Sequence, residues 1–342
     1  VCDVCTTCNK LNPVKYTRDG NYIYFGYWPQ TLERDETVVA KLNEIAGKPP
    51  LPRDKENPFN WESHEGTTYM WQKIVIYNGT KYLGVQMNDY RASGVYSLRS
   101  YVMDNGYFTF EVYWFKYEPI KWRILTTSGN SAFIMSDIAL DSFSIQPDRK
   151  EENRDGLYAS YNNSTGVPDG TYANNWEYCF LRGWLNETFY NEVFNGLQKE
   201  IIKTSHLDNT ARSSNPNDYP KYYGYGENAG KNKFADQCKD TDDKIFLLSL
   251  RDITTTAYGF NKDVKAEDPA RNLQATDFAK LHGAPMNTND KKYVTWYTRS
   301  PAPANGNQGY ATFVLDRHAK GAIDSIDLVP DGGVVPALWI TL

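Results

Sequence analysis

Residues 293–342 read YVTWYTRSPAPANGNQGYATFVLDRHAKGAIDSIDLVPDGGVVPALWITL. The first five, Tyr293-Val294-Thr295-Trp296-Tyr297, are β-branched or aromatic, and Arg299-Ser300-Pro301 stops them. A Pro/Asn/Gly segment leads to a second run at 310–315, and Asp331-Gly332-Gly333 leads to a third at 334–340. Strand-prone runs separated by turn residues predict an antiparallel meander. A chain end this apolar is expected to dock into a sheet, most simply beside a strand from the start of the chain.

Working outward, the remaining segments supply the rest of that sheet and its cover. Residues 21–28 (NYIYFGYW) read as a strand closed by Pro29-Gln30. Residues 35–46 read as a helix, with Val38, Val39, Leu42 and Ile45 at helical spacing and Gly47 as its stop. A charged, Pro-rich loop follows at 48–66. Residues 69–86 form a hairpin around Asn78-Gly79, the strongest short hairpin signal. A strand is expected at 107–117. A second hairpin joins 120–125 to 132–136 through Ser128-Gly129-Asn130, with Ile120, Trp122 and Ile124 on one face and Lys121 and Arg123 on the other.

After a polar loop at 141–170, residues 174–194 give the clearest helix. Asn174 and Glu177 have capping-box spacing, and Leu181, Trp184, Leu185 and Thr188 form one stripe. A short helix at 197–203, a long polar loop at 208–243, a buried strand at 244–249 and short helices at 252–258 and 276–282 complete the chain. With no repeats and no linker, the pattern predicts a polar lead-in at 1–20 and one α+β domain at 21–342, with function carried on long loops.

Bulk properties narrow the function. The 342 residues carry a formal net charge of -5 without a basic block, which argues against nucleic acid and anionic membrane as partners. Mean hydropathy is -0.64, and no apolar run approaches the roughly 18 residues of a spanning helix, so membrane insertion is not expected. Twenty-six Tyr and nine Trp suit a secreted or surface protein that presents aromatic contacts; a large core with ordinary amphipathic Tyr explains them equally. Cys2, Cys5 and Cys8 form C-x-x-C-x-x-C without a nearby fourth zinc ligand and without the helix of a redox motif. They read as a disulfide or tail remnant, as half of a metal knuckle, or as chance. Cys179, in a helical pattern, reads as a buried thiol.

Several motifs occur together in a fixed order. They are Tyr24-Phe25-Gly26-Tyr27-Trp28-Pro29-Gln30, Tyr117-Glu118-Pro119-Ile120-Lys121-Trp122-Arg123, Trp184-Leu185-Asn186-Glu187-Thr188-Phe189-Tyr190, Arg299-Ser300-Pro301 and Gly333-Val334-Val335-Pro336-Ala337-Leu338-Trp339-Ile340. In this combination the chain resembles a bacterial surface-protein domain family of uncharacterised function with a C-type-lectin-like fold. The resemblance implies paired first and last strands, helices packed on the sheet and a loop-rich C-terminal half. It also implies an extracellular setting and a ligand surface near 296–333. It defines no catalytic residue, and relatives often carry Arg where Val335 stands.

The candidate ligand-binding residues are Trp296, Tyr297, Arg299, Asn305, Asn307, Tyr310, Arg317 and His318. Aromatics beside Asn and Arg can stack on and hydrogen-bond a glycan or a host or cell-surface protein. The competing reading makes Trp296 core, Arg299 a structural donor to loop carbonyls and His318 part of a solvated turn. Gln146-Pro147-Asp148 matches the galactose-type tripeptide of calcium lectins, but a calcium site needs about six to eight oxygens and no partner segment is visible. The four His lack metal spacing, and no Cys follows Cys238, which excludes the late-cysteine chemistry of the formylglycine-generating enzyme. No metal and no cofactor is expected. The sequence therefore points to a non-enzymatic, adhesin-like or lectin-like binding domain. The alternatives are a carbohydrate hydrolase, which needs two carboxylates roughly 5–9 Å apart in a cleft, and a structural module of a larger surface protein.

Overall fold

The computed structural model describes residues 15–51, 53–63, 70–90, 99–147, 149–154, 157–210, 238–263, 266–287, 291–302, 310–315, 322–326 and 332–342. In chain order the first elements are β1 (Thr17–Asp19), β2 (Tyr22–Leu32), α1 (Glu36–Ala46), β3 (Glu62–Ser63), β4 (Met70–Tyr77), β5 (Thr80–Met87), α2 (Arg99–Asp104), β6 (Val112–Ser128) and β7 (Ser131–Ser136). There follow β8 (Asp141–Phe143), β9 (Arg149–Arg154), β10 (Leu157–Asn162), α3 (Phe180–Trp184), α4 (Tyr190–Val193), α5 (Gly196–Lys199), β11 (Ile202–Lys203), β12 (Ser205–Leu207), β13 (Thr241–Asp243) and β14 (Phe246–Leu247). The last are α6 (Asp277–Leu281), β15 (Trp296–Ala302), β16 (Tyr310–Leu315), β17 (Ala322–Ile326), β18 (Gly332–Val334) and β19 (Pro336–Thr341). Mixed helices and antiparallel sheets make this an α+β protein.

Strand β6 is the spine of the ten-stranded sheet. Lys116 pairs with Tyr82 of β5 and with Thr31 of β2, and Trp122 pairs with Ser136 of β7 and with Ile23 of β2. So β2 lies along one edge of β6, while β5 and β7 share the other. The sequence reading broke this strand at Glu118-Pro119. It continues because Pro119 sits opposite Tyr27, where β2 slips register between Tyr24 and Tyr27 and Gly26 takes φ +68°. A proline can sit at such a bulge because no ladder bond is asked of it. Strand β2 likewise runs through Pro29-Gln30 to Leu32, and the Gln30 side chain donates to Glu118 O at 2.8 Å.

The local signals hold well. Asp35 caps α1 by accepting from the N–H of Thr37 and Val38, and Gly47 ends it at φ +67°. Ala46 rather than Ile45 completes its buried stripe; Ile45 is 51% exposed. At the β2–α1 joint, Glu33 accepts from the N–H of Asp35 (3.0 Å), the Lys116 ammonium (2.9 Å) and the Tyr82 hydroxyl (3.2 Å). Burial pushes this carboxyl up, but the Asp35 N–H and Lys116 outweigh it and hold it below its ordinary value. Asn78 and Gly79, both at positive φ, turn β4 into β5. In β6 a register shift between Ile124 and Thr126 moves the inward face, so Leu125 is buried and Ile124 half-buried.

The helix expected at 174–194 is broken. Asn175 opens a single turn at Trp176–Tyr178 without a side-chain cap, so the expected capping box is not formed, and extended Cys179 separates that turn from α3. Between α3 and α4 a π-helical turn, Leu185–Phe189, adds a residue, and Phe189 rather than Thr188 reaches the core. The polar loop expected at 141–170 contains β8, β9 and β10. Thr17–Asp19, inside the expected lead-in, pairs with β2.

The tail is placed differently from expectation. Strand β19 pairs with β7 on one edge and with β11 and β14 on the other, so β6 and β7 stand between it and β2. The expected pairing of first and last strands is corrected: β1 and β6 already occupy both edges of β2, and the outer edge of β7 is the free one. The meander is β15–β16–β17, antiparallel, in a five-stranded sheet. The third run at 334–340 leaves that sheet: β18 pairs parallel to β15 and antiparallel to β8, and Val335 leads into β19 in the larger sheet. The main core lies between this sheet and the helices, around Trp28, Phe115, Trp122, Trp184, Phe189 and Phe278. A second cluster, with Trp61, Trp114 and Val75, lies under α1.

Candidate functional site

A buried polar junction joins two described residues that stand near the ends of undescribed segments, Asn209 before 211–237 and Arg299 before 303–309. Arg299 is four residues before the second segment and 8% exposed. Its guanidinium donates to Leu247 O (2.9 Å), Asp252 Oδ2 (3.0 Å) and Asn209 Oδ1 (3.3 Å), and its N–H donates to Leu248 O (3.0 Å). Asn209, two residues before the first segment, donates to Lys239 O (3.0 Å) and Thr241 Oγ1 (2.9 Å) on the returning chain. Thr241 donates to Asp243 Oδ2 (2.8 Å), which also accepts from Trp176 Nε1 (2.9 Å), while Arg182 Nε meets Asp243 Oδ1 at 2.7 Å. One chain of bonds thus runs from α3 through β13 to β15.

The junction is electrostatically self-contained. Arg182 is matched by Asp243, and Arg299 by Asp252, whose Oδ2 also accepts the N–H and hydroxyl of Ser249 at 2.7 Å. Satisfied buried networks of this kind fix geometry rather than supply reactive groups. Of the thiols beside it, Cys179 and Cys238 are buried and free; burial pushes Cys179 up to about 12 and raises Cys238 as well, which favours the protonated thiol.

The expected site residues fall into three groups. Trp296 and Tyr297 are 0% and 1% exposed. Trp296 donates to Arg271 O (3.0 Å), and the Tyr297 ring lies against Gly332 so closely that a Cβ there would come within 2.3 Å of it. With Arg299 they take the interior places that the competing reading gave Trp296 and Arg299. Tyr310 opens β16. Asn305, Asn307, Arg317 and His318 lie outside the described residues, as do Cys2, Cys5 and Cys8. Of the lectin-like tripeptide, Gln146 is used internally, accepting from Phe180 N (2.7 Å) and donating to Ser164 Oγ (2.9 Å). Among the described residues no three His, Cys, Asp or Glu side chains gather where they could hold a metal ion. His282, the C-cap of α6, instead meets Asp141 at 2.5 Å, and both are buried. No helix among the described residues is long and apolar enough to cross a membrane.

The residues that sequence reading missed are Trp176, Arg182, Asn209, Thr241, Asp243 and Asp252. Asn209, Thr241 and Asp243 lie in the segment that read as polar loop, while Trp176, Arg182 and Asp252 lie in segments that read as helix. The one available signal is Asp243, set directly before the buried run 244–249, where an acidic residue needs a partner. Residues 129–342 match the family described as Domain of unknown function (DUF6273). No curated protein and no solved structure matches the chain.

Proposed function

The chain belongs to the DUF6273 family, and from that premise we propose that it is an extracellular, non-enzymatic ligand-binding domain of a bacterial surface or secreted protein. Its ligand is a glycan or a host or cell-surface protein, held by the segments that leave the Asn209–Arg299 junction. The observation that carries this reading is the 3.3 Å bond between those two buried residues, which ties the described chain before 211–237 to the described chain before 303–309. Binding surfaces are commonly built from loops on a rigid base, and here the base is saturated with matched charges. The lectin-like part of the reading is supported by helices packed on an antiparallel sheet. The separation of β2 from β19 departs from that pattern.

The test is a glycan array and a host-protein array probed with the purified chain, with calcium and with chelator. The expected result is a ligand retained in chelator and lost when 303–309 is replaced by a Gly/Ser linker of equal length, at unchanged melting temperature. Silence on both arrays, or binding indifferent to the replacement, overturns the reading.

A further inference from the structure

The β4–β5 hairpin presents an edge with an unusual symmetry. The turn is two residues long, so Tyr77 and Thr80 exchange both ladder bonds. Bonding to β5 then falls on Tyr77, Val75 and Lys73, and the N–H and C=O of Ile74 and Ile76 point away from it. Among the described residues, strand β3 covers this outer edge at Trp71 and Gln72 and nothing pairs with it at Ile74 or Ile76. Ile74 and Ile76 are also 52% and 68% exposed, on the face of the hairpin opposite α1. An edge that offers open backbone groups and exposed β-branched side chains at the same positions is a template for another strand.

We propose that β4 pairs with β4 of a second copy of this chain, antiparallel, about a two-fold axis through Val75. The sequence Lys73-Ile74-Val75-Ile76-Tyr77 is self-complementary in that register. Ile74 meets Ile76 of the second copy in the hydrogen-bonded positions, and the reverse, which gives four ladder bonds and one continuous strip of four isoleucines. Both copies use the same patch, as a two-fold contact requires. The charge pattern fits as well. Among the described residues Lys73 has no carboxylate partner, its ammonium reaching only the carbonyls of Phe59 and Asn60. The two-fold register sets it opposite Tyr77 of the second copy. Lysine over tyrosine is a contact this molecule already makes, with Lys81 over Tyr117 at 3.9 Å and Lys121 over Tyr22 at 3.7 Å. The area is that of a reversible contact: a few hundred Å² at about four bonds, against the roughly 1,200 Å² of a stable interface. Copies crowded by a common attachment then associate where free copies at low concentration do not.

Sedimentation equilibrium of the full chain under reducing conditions, from about 10 μM to about 1 mM, tests the proposal. The weight-average mass is expected to rise from 39.2 kDa toward twice that value. Ile76→Pro removes an N–H that faces away from β5, and Ile76→Lys places a charge in the isoleucine strip. Both are expected to remain at the monomer mass with an unchanged melting temperature. A wild-type mass constant at 39.2 kDa overturns self-pairing. Association lost in Ile76→Lys but kept in folded Ile76→Pro shows an apolar face contact and overturns edge pairing.

Discussion

Arg271 is the residue on which the segment 253–271 is wound. It is 1% exposed, and its guanidinium donates to four carbonyls: Ile253 (3.4 Å), Asn261 (3.3 Å), Asp263 (3.0 Å) and Ala266 (3.0 Å). Asp268 lies 3.3 Å from Nε and accepts the N–H of Asn261 and Ala270. Converging carbonyls of this kind are what a hard cation would seek, and here a planar side-chain cation fills the place. Its own carbonyl then fixes Trp296. Arg271→Met leaves four acceptors and one buried carboxylate without their cation, and is expected to cost about 3–5 kcal/mol. Arg271→Lys keeps the charge but cannot spread four donors in a plane, so it should recover only part of the loss. Urea denaturation followed by tryptophan fluorescence measures both, and an Arg271→Met midpoint equal to wild type would refute the role.

At the scale of elements, what was legible is what lies within about twenty residues. The helix α1 follows from Asp35 and Gly47, and the β4–β5 hairpin from Asn78-Gly79 between alternating runs. The β6–β7 hairpin follows likewise, although its bulge exchanged Ile124 for Leu125. The continuity of β6 through Pro119 was not legible, because it depends on a bulge in β2 some ninety residues earlier. The polar junction was illegible for the same reason: Arg299 meets Asn209 across 90 positions and Arg182 meets Asp243 across 61, distances at which periodicity carries no information. The bulge at Gly26 can be tested directly. A Cβ there would stand 2.6 Å from Val193 Cγ1 and 2.7 Å from Phe194 Cε1, at a φ of +68° that side chains resist. Gly26→Ala therefore combines overpacking with left-handed strain and should cost about 2–4 kcal/mol. Gly129→Ala, at φ +57° with open space around it, should cost only about 1 kcal/mol. Thermal unfolding that ranks the two variants equally would show that the close approach of β2 to α4 is not rigid.

For the whole molecule, the family match and the folding unit have different boundaries. The match begins at residue 129, one position beyond the end of β6. Yet β7 pairs with β6 along its length, and in the sheet β7 is the strand that joins β19 to β6. The core crosses the same boundary. Trp28 packs edge-on to Trp184 and Phe278 at 5.9 Å and donates to Leu140 O at 3.1 Å, while Phe25 lies 5.0 Å from Phe194. Without residues 15–128, β7 gains an unpaired edge and the inner faces of α3, α4 and α6 lose Phe25, Trp28, Phe115 and Trp122. At about 2–3 kcal/mol for each large side chain, that loss is of the order of the whole stability of a folded domain. A purified 129–342 fragment is therefore expected to show no cooperative thermal transition and to expose apolar surface to a hydrophobic dye, while the full chain melts cooperatively. Adding a separately produced 1–128 fragment should restore a transition, because the missing strand and core residues are then supplied in trans. If 129–342 alone unfolds cooperatively near the melting temperature of the full chain, the matched span is a complete unit and β6 is an accessory to it rather than its spine.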